Sequence, residues 1–178
     1  YDKMPIGFCD IPEITYGFGG AIEWKGFDVS IFFQGTARVS LFEEGSTIVP
    51  FSSGYKNNDG FLRGVMENRW TVDNPDPNAR YPRTIRPSDA LDNNNTKKSS
   101  FWVRNAAFLR LKNAEIGYTF PKRWMEKMAI QNLRLYVSGV NLLTWAPDVH
   151  LFDPDLGSGD GRKYPPTRVF NVGLNINF

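Results

Sequence analysis

The sequence predicts an all-β fold in which about five antiparallel strands form part of a large transmembrane β-barrel. The first observation is that large apolar residues occupy every second position in five stretches, near 15–24, 27–35, 107–120, 132–143 and 168–178. This period of two gives each strand one apolar and one polar face. The second observation is that the connections between the stretches are alternately short and long. The third is that no apolar run approaches the ~18 residues of a transmembrane helix.

The first two strands are predicted to form a hairpin. Apolar residues recur at every second position from Tyr16 to Trp24 and again from Phe27 to Phe33. Lys25-Gly26 lies between them, and glycine accepts the positive φ that a two-residue turn requires. The other face of the first strand is dominated by small residues, which permits the close approach of whatever packs there.

Residues 36–106 are predicted to form a long functional or disordered loop. Pro, Asn and Asp are dense in this segment, and its length of about seventy residues far exceeds the usual 4–6 of a connection. One short helix is predicted at 59–70, with Asn58 or Asp59 as its cap and with Phe61 and Val65 on one face.

In the third predicted strand, the positions of the apolar residues change midway from odd to even. Its apolar residues stand at odd positions up to Leu111 and at even positions from Ala114 onward. One extra residue near Lys112-Asn113, a β-bulge, reconciles the two halves. A short connection at 121–131, in which one helical turn is expected, leads to the fourth strand. A second long loop at 145–166, rich in Asp, Gly and Pro, precedes the last strand.

The last strand continues its apolar face to the final residue, Phe178. A strand of a soluble sheet also alternates, so a soluble β-rich protein is the alternative. The placement of long loops on alternate connections favours the barrel, which has short periplasmic turns and long extracellular loops. Tyr1 is no initiator and the first residues show no signal-peptide pattern, so we interpret the chain as a fragment or a processed piece.

Composition excludes several classes of function. The net charge of +2, from 21 basic and 19 acidic residues, gives no electrostatic reason to expect nucleic acid or an acidic membrane surface as a partner. Cys9 is the only cysteine and His150 the only histidine, so neither a zinc site nor a catalytic triad is predicted. The segment 153–160 resembles a calcium loop, but it lacks Gly and Glu at the positions required, and we interpret it as a Pro/Gly turn. No catalytic site, metal or cofactor is predicted.

Several motifs together resemble one family. They are Tyr16–Gly19, Trp24–Ser30, Phe32–Gly35, Asn68–Thr71, Ala79–Arg83, Ser100–Asn113, Val137–Trp145 and Phe170–Phe178. In this order they are similar to the C-terminal end of SusC/RagA-type TonB-linked outer-membrane transporters of Bacteroidetes. The stretch Ser100–Asn113 is the most specific of them.

The resemblance implies a 22-stranded barrel with an N-terminal plug. It further implies TonB-driven uptake of oligosaccharides or peptides across the cell outer membrane, with a SusD-like surface lipoprotein as lid, and no enzymatic activity. Residues 1–178 would then be the C-terminal part of the barrel, without the plug and without the segment that contacts the TonB complex. Phe178 resembles the terminal residue that the barrel-assembly machinery reads, and it would lie at the periplasmic interface, against outer-membrane lipid.

If the resemblance holds, the 36–106 loop is a candidate contact surface for the lid or the substrate. Its aromatic and arginine residues are of the types enriched at protein contacts. They are Trp70, Tyr81 and Trp102 with Arg69, Arg80, Arg83 and Arg86. For the aromatic rings, packing of the loops on themselves is favoured over contact with a ligand, since large loops need small cores of their own. The alternative function of the chain is that of a soluble carbohydrate-binding module whose loop aromatics stack on sugars.

Overall fold

A computed structural model describes residues 4–45, 48, 62–84, 95, 97–125, 129–159 and 161–178. The chain divides into two compact units. The strand unit comprises Pro12–Arg38, Ala107–Pro147 and Pro165–Phe178. The loop unit comprises Tyr1–Ile11, Val39–Ala106 and Asp148–Tyr164.

The described secondary structure is mostly β. Its strands are β1 (Ile14–Trp24), β2 (Phe27–Ala37), β3 (Ser40–Phe42), β4 (Val103–Asn105), β5 (Phe108–Thr119), β6 (Asn132–Trp145) and β7 (Val169–Asn177). Its α-helices are α1 (Arg63–Glu67) and α2 (Lys122–Met125). The strand unit holds one five-stranded sheet in the order β1-β2-β5-β6-β7, and all of its neighbours are antiparallel. The predicted antiparallel all-β class is therefore confirmed.

The β1–β2 hairpin has the predicted two-residue turn. Trp24 pairs with Phe27, and the residues between them have positive φ, 50° at Lys25 and 89° at Gly26. Two consecutive positive φ angles match the twist of the flanking strands, as in a type I′ turn. The turn therefore fixes the register of the whole hairpin, from Trp24–Phe27 to Ile14–Ala37.

The predicted bulge in β5 is also confirmed. Phe32 of β2 pairs with Asn113 and the next residue, Phe33, pairs with Leu111, so Lys112 is the extra residue. On the other side of β5 the register with β6 shifts at the same position, between Leu111 and Asn113. The extra residue restores the alternation, so the apolar residues before and after the bulge lie on one face of the sheet.

The helices differ in part from their predictions. The helix predicted at 59–70 is described from Arg63 to Glu67, and its N-cap is Leu62, which provides no side-chain hydrogen bond. Asn58, Asp59 and Phe61 lie outside the described residues. The prediction was wrong at the C-terminal end, because Arg69 forms an isolated β-bridge with Tyr81 and so leaves the helical path. The helical turn expected within 121–131 is α2. None of the described helices is long and apolar enough to cross a membrane.

The loop unit contains a small sheet and core that the alternation did not predict. β3 and β4 are only three residues long each and pair antiparallel. Two buried clusters surround them, and Phe152 packs against both. The first cluster is Ile48, Val65, Tyr81 and Trp102, and the second is Val39, Leu41, Ala106 and Val149. The described parts of the two long loops, 36–106 and 145–166, thus fold together around shared apolar side chains.

Candidate functional site

One face of the five-stranded sheet is apolar and exposed. The strand register aligns apolar residues in rows that cross all five strands. One row is Ile22, Val29, Ile116, Val137 and Val172, whose exposed fractions are 73, 42, 51, 46 and 75%. A soluble protein rarely exposes a contiguous apolar surface of this kind. This apolar face is therefore a candidate contact surface for lipid.

Aromatic side chains border the apolar face at both ends. At the end of the short connections, the ring of Phe27 lies 4.6 Å from that of Tyr118, and Phe120 lies 5.0 Å from Tyr118. At the opposite end, Phe33 lies between Phe18 and Trp145, at 5.2 and 6.4 Å. Tyr16 and Trp24 are eight residues apart on β1, which corresponds to roughly 26 Å along a strand. This height matches the ~25 Å apolar band of outer-membrane barrels, which aromatic girdles flank.

The opposite face of the sheet carries a network of charges. The guanidinium of Arg134 on β6 donates hydrogen bonds to Asp28 on β2, at 3.0 Å for Nε, and to Glu115 on β5, at 2.6 Å. It also stacks on the ring of Tyr136, 4.9 Å away. Tyr136 in turn lies across Gly173 of β7 so closely that a Cβ there would be 2.2 Å from the ring. The polar face is therefore held by contacts that join four strands.

The structure places two of the predicted contact residues in the interior. Tyr81 and Trp102 are each 3% exposed, and their rings lie 6.4 Å apart in the first cluster of the loop unit. The indole N–H of Trp102 donates a hydrogen bond to the carbonyl oxygen of Asn95 at 2.9 Å. Burial of both rings agrees with the favoured prediction that the loop aromatics pack within the loops.

The other predicted contact residues are more accessible. Arg83 is exposed and Trp70 is half-buried. Arg69 donates a hydrogen bond to the carbonyl oxygen of Met66. Arg86 lies outside the described residues. Phe178 follows β7 and is 79% exposed, and its role as an assembly signal stays a prediction.

Sequence reasoning missed a buried charge cluster in the loop unit. Glu43 is 1% exposed, and Arg104, 6% exposed, donates a hydrogen bond from Nε to its Oε2 at 2.9 Å. Arg80 lies 3.6 Å from Glu43 Oε1 and binds Asp148 Oδ1 at 2.8 Å. Glu43 and Arg104 are 61 positions apart in sequence, and Arg80 and Asp148 are 68 positions apart. No local pattern reveals contacts at such separations.

The pKa values of the two carboxylates of this cluster, Glu43 and Asp148, are shifted in opposite directions. Burial raises the pKa of Glu43, and the attraction of Arg104 and Arg80 opposes this without cancelling it. Burial also acts to raise the pKa of Asp148. There it is outweighed by the hydrogen bonds from Arg80 and from the backbone N–H of Asn105, which hold the pKa below its ordinary value of 3.8.

Asp148→Asn should make the loop unit less sensitive to acid. Because the folded pKa of Asp148 is lowered, its stabilisation is complete above pH 3.8 and is lost as the pH falls through the folded value. The contribution of Glu43 to stability depends on pH in the opposite direction. Because its folded pKa is raised, this contribution is lost as the pH rises. Hydrogen exchange of the β3 and β4 amides, followed from about pH 5 to about pH 2.5, measures the difference. The matched control is Asp73→Asn, which replaces an exposed carboxylate. Its hydrogen exchange should depend on pH in the same way as that of the natural chain.

Comparison with known proteins identifies relatives across nearly the whole chain. No family model matches the sequence. The chain is 30% identical over 190 residues to TonB-dependent receptor P3 of Formosa agariphila, covering 99% of the chain and 17% of that protein. It is 29% identical over 191 residues to TonB-dependent receptor P26 of the same organism, covering 99% of the chain and 18% of that protein. The chain thus spans less than a fifth of the length of the curated relatives it matches.

Solved structures share the fold. The RagAB peptide importer in its closed-closed state matches 97% of the chain and 18% of the solved chain, with a TM-score of 0.72 and 23% identity. A second structure, of the RagAB peptide transporter, matches 96% of the chain and 18% of the solved chain, with a TM-score of 0.70. These matches confirm the predicted resemblance: the chain is similar in sequence to TonB-dependent receptors and shares the fold of the solved RagAB structures.

Proposed function

We propose that the chain forms part of the membrane-spanning barrel of an outer-membrane transporter that takes up nutrients with energy from TonB. The observation that carries the proposal is the exposed apolar face, with its aromatic borders at both ends. In lipid, backbone groups must be paired within the protein, and a closed antiparallel sheet achieves this. The five strands would be the C-terminal strands of such a barrel, and the plug would lie in another part of the full-length protein.

In this placement the apolar face contacts lipid and the polar face lines the lumen. The Arg134 network supports the assignment, because paired charges are tolerated on a lumen face and are costly on a lipid face. The alternative of a soluble carbohydrate-binding module does not account for apolar rows that are exposed along all five strands.

Peptides or oligosaccharides are the proposed substrates. The solved structures that share the fold are those of a peptide importer, which supports the peptide class. The relatives are receptors and transporters by name, which agrees with transport rather than enzymatic activity. The polar face contributes hydrogen-bonding groups to the lumen, and either substrate would be recognised by such groups.

A SusD-like lipoprotein is the proposed lid, as the resemblance implies, and Arg83 and Trp70 are the candidate contacts that remain at the surface of the loop unit. Tyr81 and Trp102 would support this surface from beneath, because they pack in its core. The TonB complex would act through the N-terminal part of the full-length protein, and the barrel-assembly machinery would read the terminal strand.

Cysteine labelling on intact cells tests the proposed placement. The short connections should be periplasmic and the long segments 36–106 and 145–166 extracellular. In a Cys9→Ser background, Asn78→Cys should therefore react with a membrane-impermeant maleimide on intact cells. Arg123→Cys should react only after the outer membrane is permeabilised. Both positions are exposed, so accessibility within the protein does not limit either reaction.

Two results would contradict the proposal. Labelling at position 123 but not at position 78 on intact cells would reverse the sidedness. Recovery of the full-length protein in the soluble fraction, without detergent, would exclude a membrane-spanning sheet.

A further inference from the structure

A recess lies within the loop unit, against one face of the β3–β4 pair. Its volume is about 390 Å³, which falls within the roughly 300–1,000 Å³ of small-molecule sites. Ser40 and Phe42 line it from β3, and Val103, the register partner of Phe42, lines it from β4. Because side chains alternate along a strand, Leu41 and its partner Arg104 lie on the opposite face, with the buried charge cluster. The recess is therefore separate from that cluster.

Hydrogen bonds hold the other walls of the recess against β3. The N–H of Phe8 donates to Oγ of Ser40 at 2.9 Å, and the N–H of Ser40 donates to the carbonyl oxygen of Cys9 at 3.1 Å. On another side, the N–H of Phe42 donates to Oγ of Ser158 at 3.1 Å. Each of these bonds involves a backbone N–H, so the main chain determines the shape of the recess.

The charged groups that line the recess have an excess of negative charge. They are the carboxylates of Asp10 and Glu44 and the ammonium of Lys98. Nζ of Lys98 lies 2.9 Å from Oε2 of Glu44. In the described part of the chain, the carboxylate of Asp10 has no cationic partner and accepts only the weak S–H donor of Cys9, at 3.4 Å. The recess therefore has a negative charge available to a cation.

Lys98 shows how the recess holds a cation. Its Nζ lies 5.3 Å from the centroid of the Phe42 ring, within the range of a cation–π interaction. Ile6 and Phe8 line the same recess, and apolar side chains of this kind cover the aliphatic stem of a basic residue. The side chains of Lys98 and Glu44 are 70 and 42% exposed, and ion pairs at such positions contribute little to stability. A cation from outside can therefore replace Lys98 without much loss of stability.

We infer that this recess binds a basic side chain, lysine or arginine, of a peptide substrate. The cationic group pairs with the carboxylates of Asp10 and Glu44 and lies over the ring of Phe42, where it replaces Lys98. This inference rests on the proposed uptake function. It goes further by selecting peptides from the two proposed substrate classes, because a neutral oligosaccharide has no positive charge to form charge-assisted hydrogen bonds with the carboxylates.

The test uses the full-length protein in detergent and isothermal titration calorimetry. One probe is an acetylated and amidated heptapeptide of alanine and serine with a single central lysine. The other probe has norleucine in place of the lysine, so that the side chain keeps its aliphatic part and loses its positive charge. We expect the lysine peptide to bind about tenfold more tightly, the effect of one hydrogen bond to a charged group.

Two substitutions in the recess have opposite expected effects. Asp10→Asn removes a carboxylate and should reduce the preference for the lysine peptide to about twofold. Lys98→Gln removes the competing ammonium and should tighten the binding of the lysine peptide about threefold. A gain in affinity cannot arise from a variant that fails to fold. The matched control is Asp73→Asn, at an exposed carboxylate of the loop unit, which should leave both affinities unchanged.

The outcomes separate the inference from the function on which it rests. Equal affinities of the two peptides, or equal effects of Asp10→Asn and Asp73→Asn, would overturn the site for a basic side chain while leaving the transport function in place. Weaker binding of the lysine peptide by Lys98→Gln would show that Lys98 maintains the recess instead of competing for it, and would also overturn the inference. Recovery of the full-length protein in the soluble fraction without detergent would overturn the proposed function itself, before any peptide is added.

Discussion

Ile31→Arg is expected to lower the free energy of unfolding of the membrane-inserted protein by about 2–4 kcal/mol, the cost of a cationic side chain at the middle of the lipid face of a barrel. Ile31 lies on the apolar face of β2, midway between the two aromatic borders, and is 44% exposed. Its register partners Gly20 and Ala114 offer no polar group to the guanidinium. Denaturant unfolding of the full-length protein in lipid vesicles measures the change.

Ser30→Arg is the matched control for this substitution. Ser30 is the adjacent residue of β2, it is exposed, and its side chain lies on the polar face, where its register partners are Ala21 and Glu115. An arginine at this position would remain in the aqueous lumen, so the unfolding free energy should change little. Equal destabilisation by the two substitutions would show that the two faces do not meet different solvents, and the proposed function would then fail.

Arg104→Ala is expected to destabilise the loop unit by about 3–5 kcal/mol, because it leaves the charge of Glu43 buried without its closest partner. Glu43 is 1% exposed, and Arg104 also donates to the carbonyl oxygen of Phe101 at 2.5 Å. The loss should appear as faster hydrogen exchange at the amides of β3 and β4 in the full-length protein. The amides of β2 and β5 should keep their protection.

Two further variants make this result specific to the buried pair. Arg83→Ala removes an exposed arginine from the same unit and should leave hydrogen exchange unchanged. Glu43→Gln combined with Arg104→Met removes both charges while conserving volume, and it should cost much less than Arg104→Ala alone. If the double variant were destabilised as much as Arg104→Ala, the loss of stability would come from lost packing rather than from an uncompensated charge.

The strands and their faces were predictable from the sequence because their causes are local. Alternation over about ten residues determines which side chains share a face, and Lys25-Gly26 determines where the hairpin turns. The bulge at Lys112 was visible as a change of parity within a single strand. The motifs also indicated the resemblance to TonB-dependent receptors, because each motif is a short continuous segment.

The loop unit was decided only by the tertiary structure. β3 and β4 are too short for a periodic pattern, and they exist because residues more than sixty positions apart meet across a small core. The same packing buries Tyr81 and Trp102, which their residue types alone had made candidates for contact. It also joins Glu43 to Arg104 and Arg80 to Asp148, since a buried charge requires an opposite charge wherever the fold brings one near. Periodicity is a property of neighbouring residues, whereas burial and pairing depend on which distant residues the fold brings together.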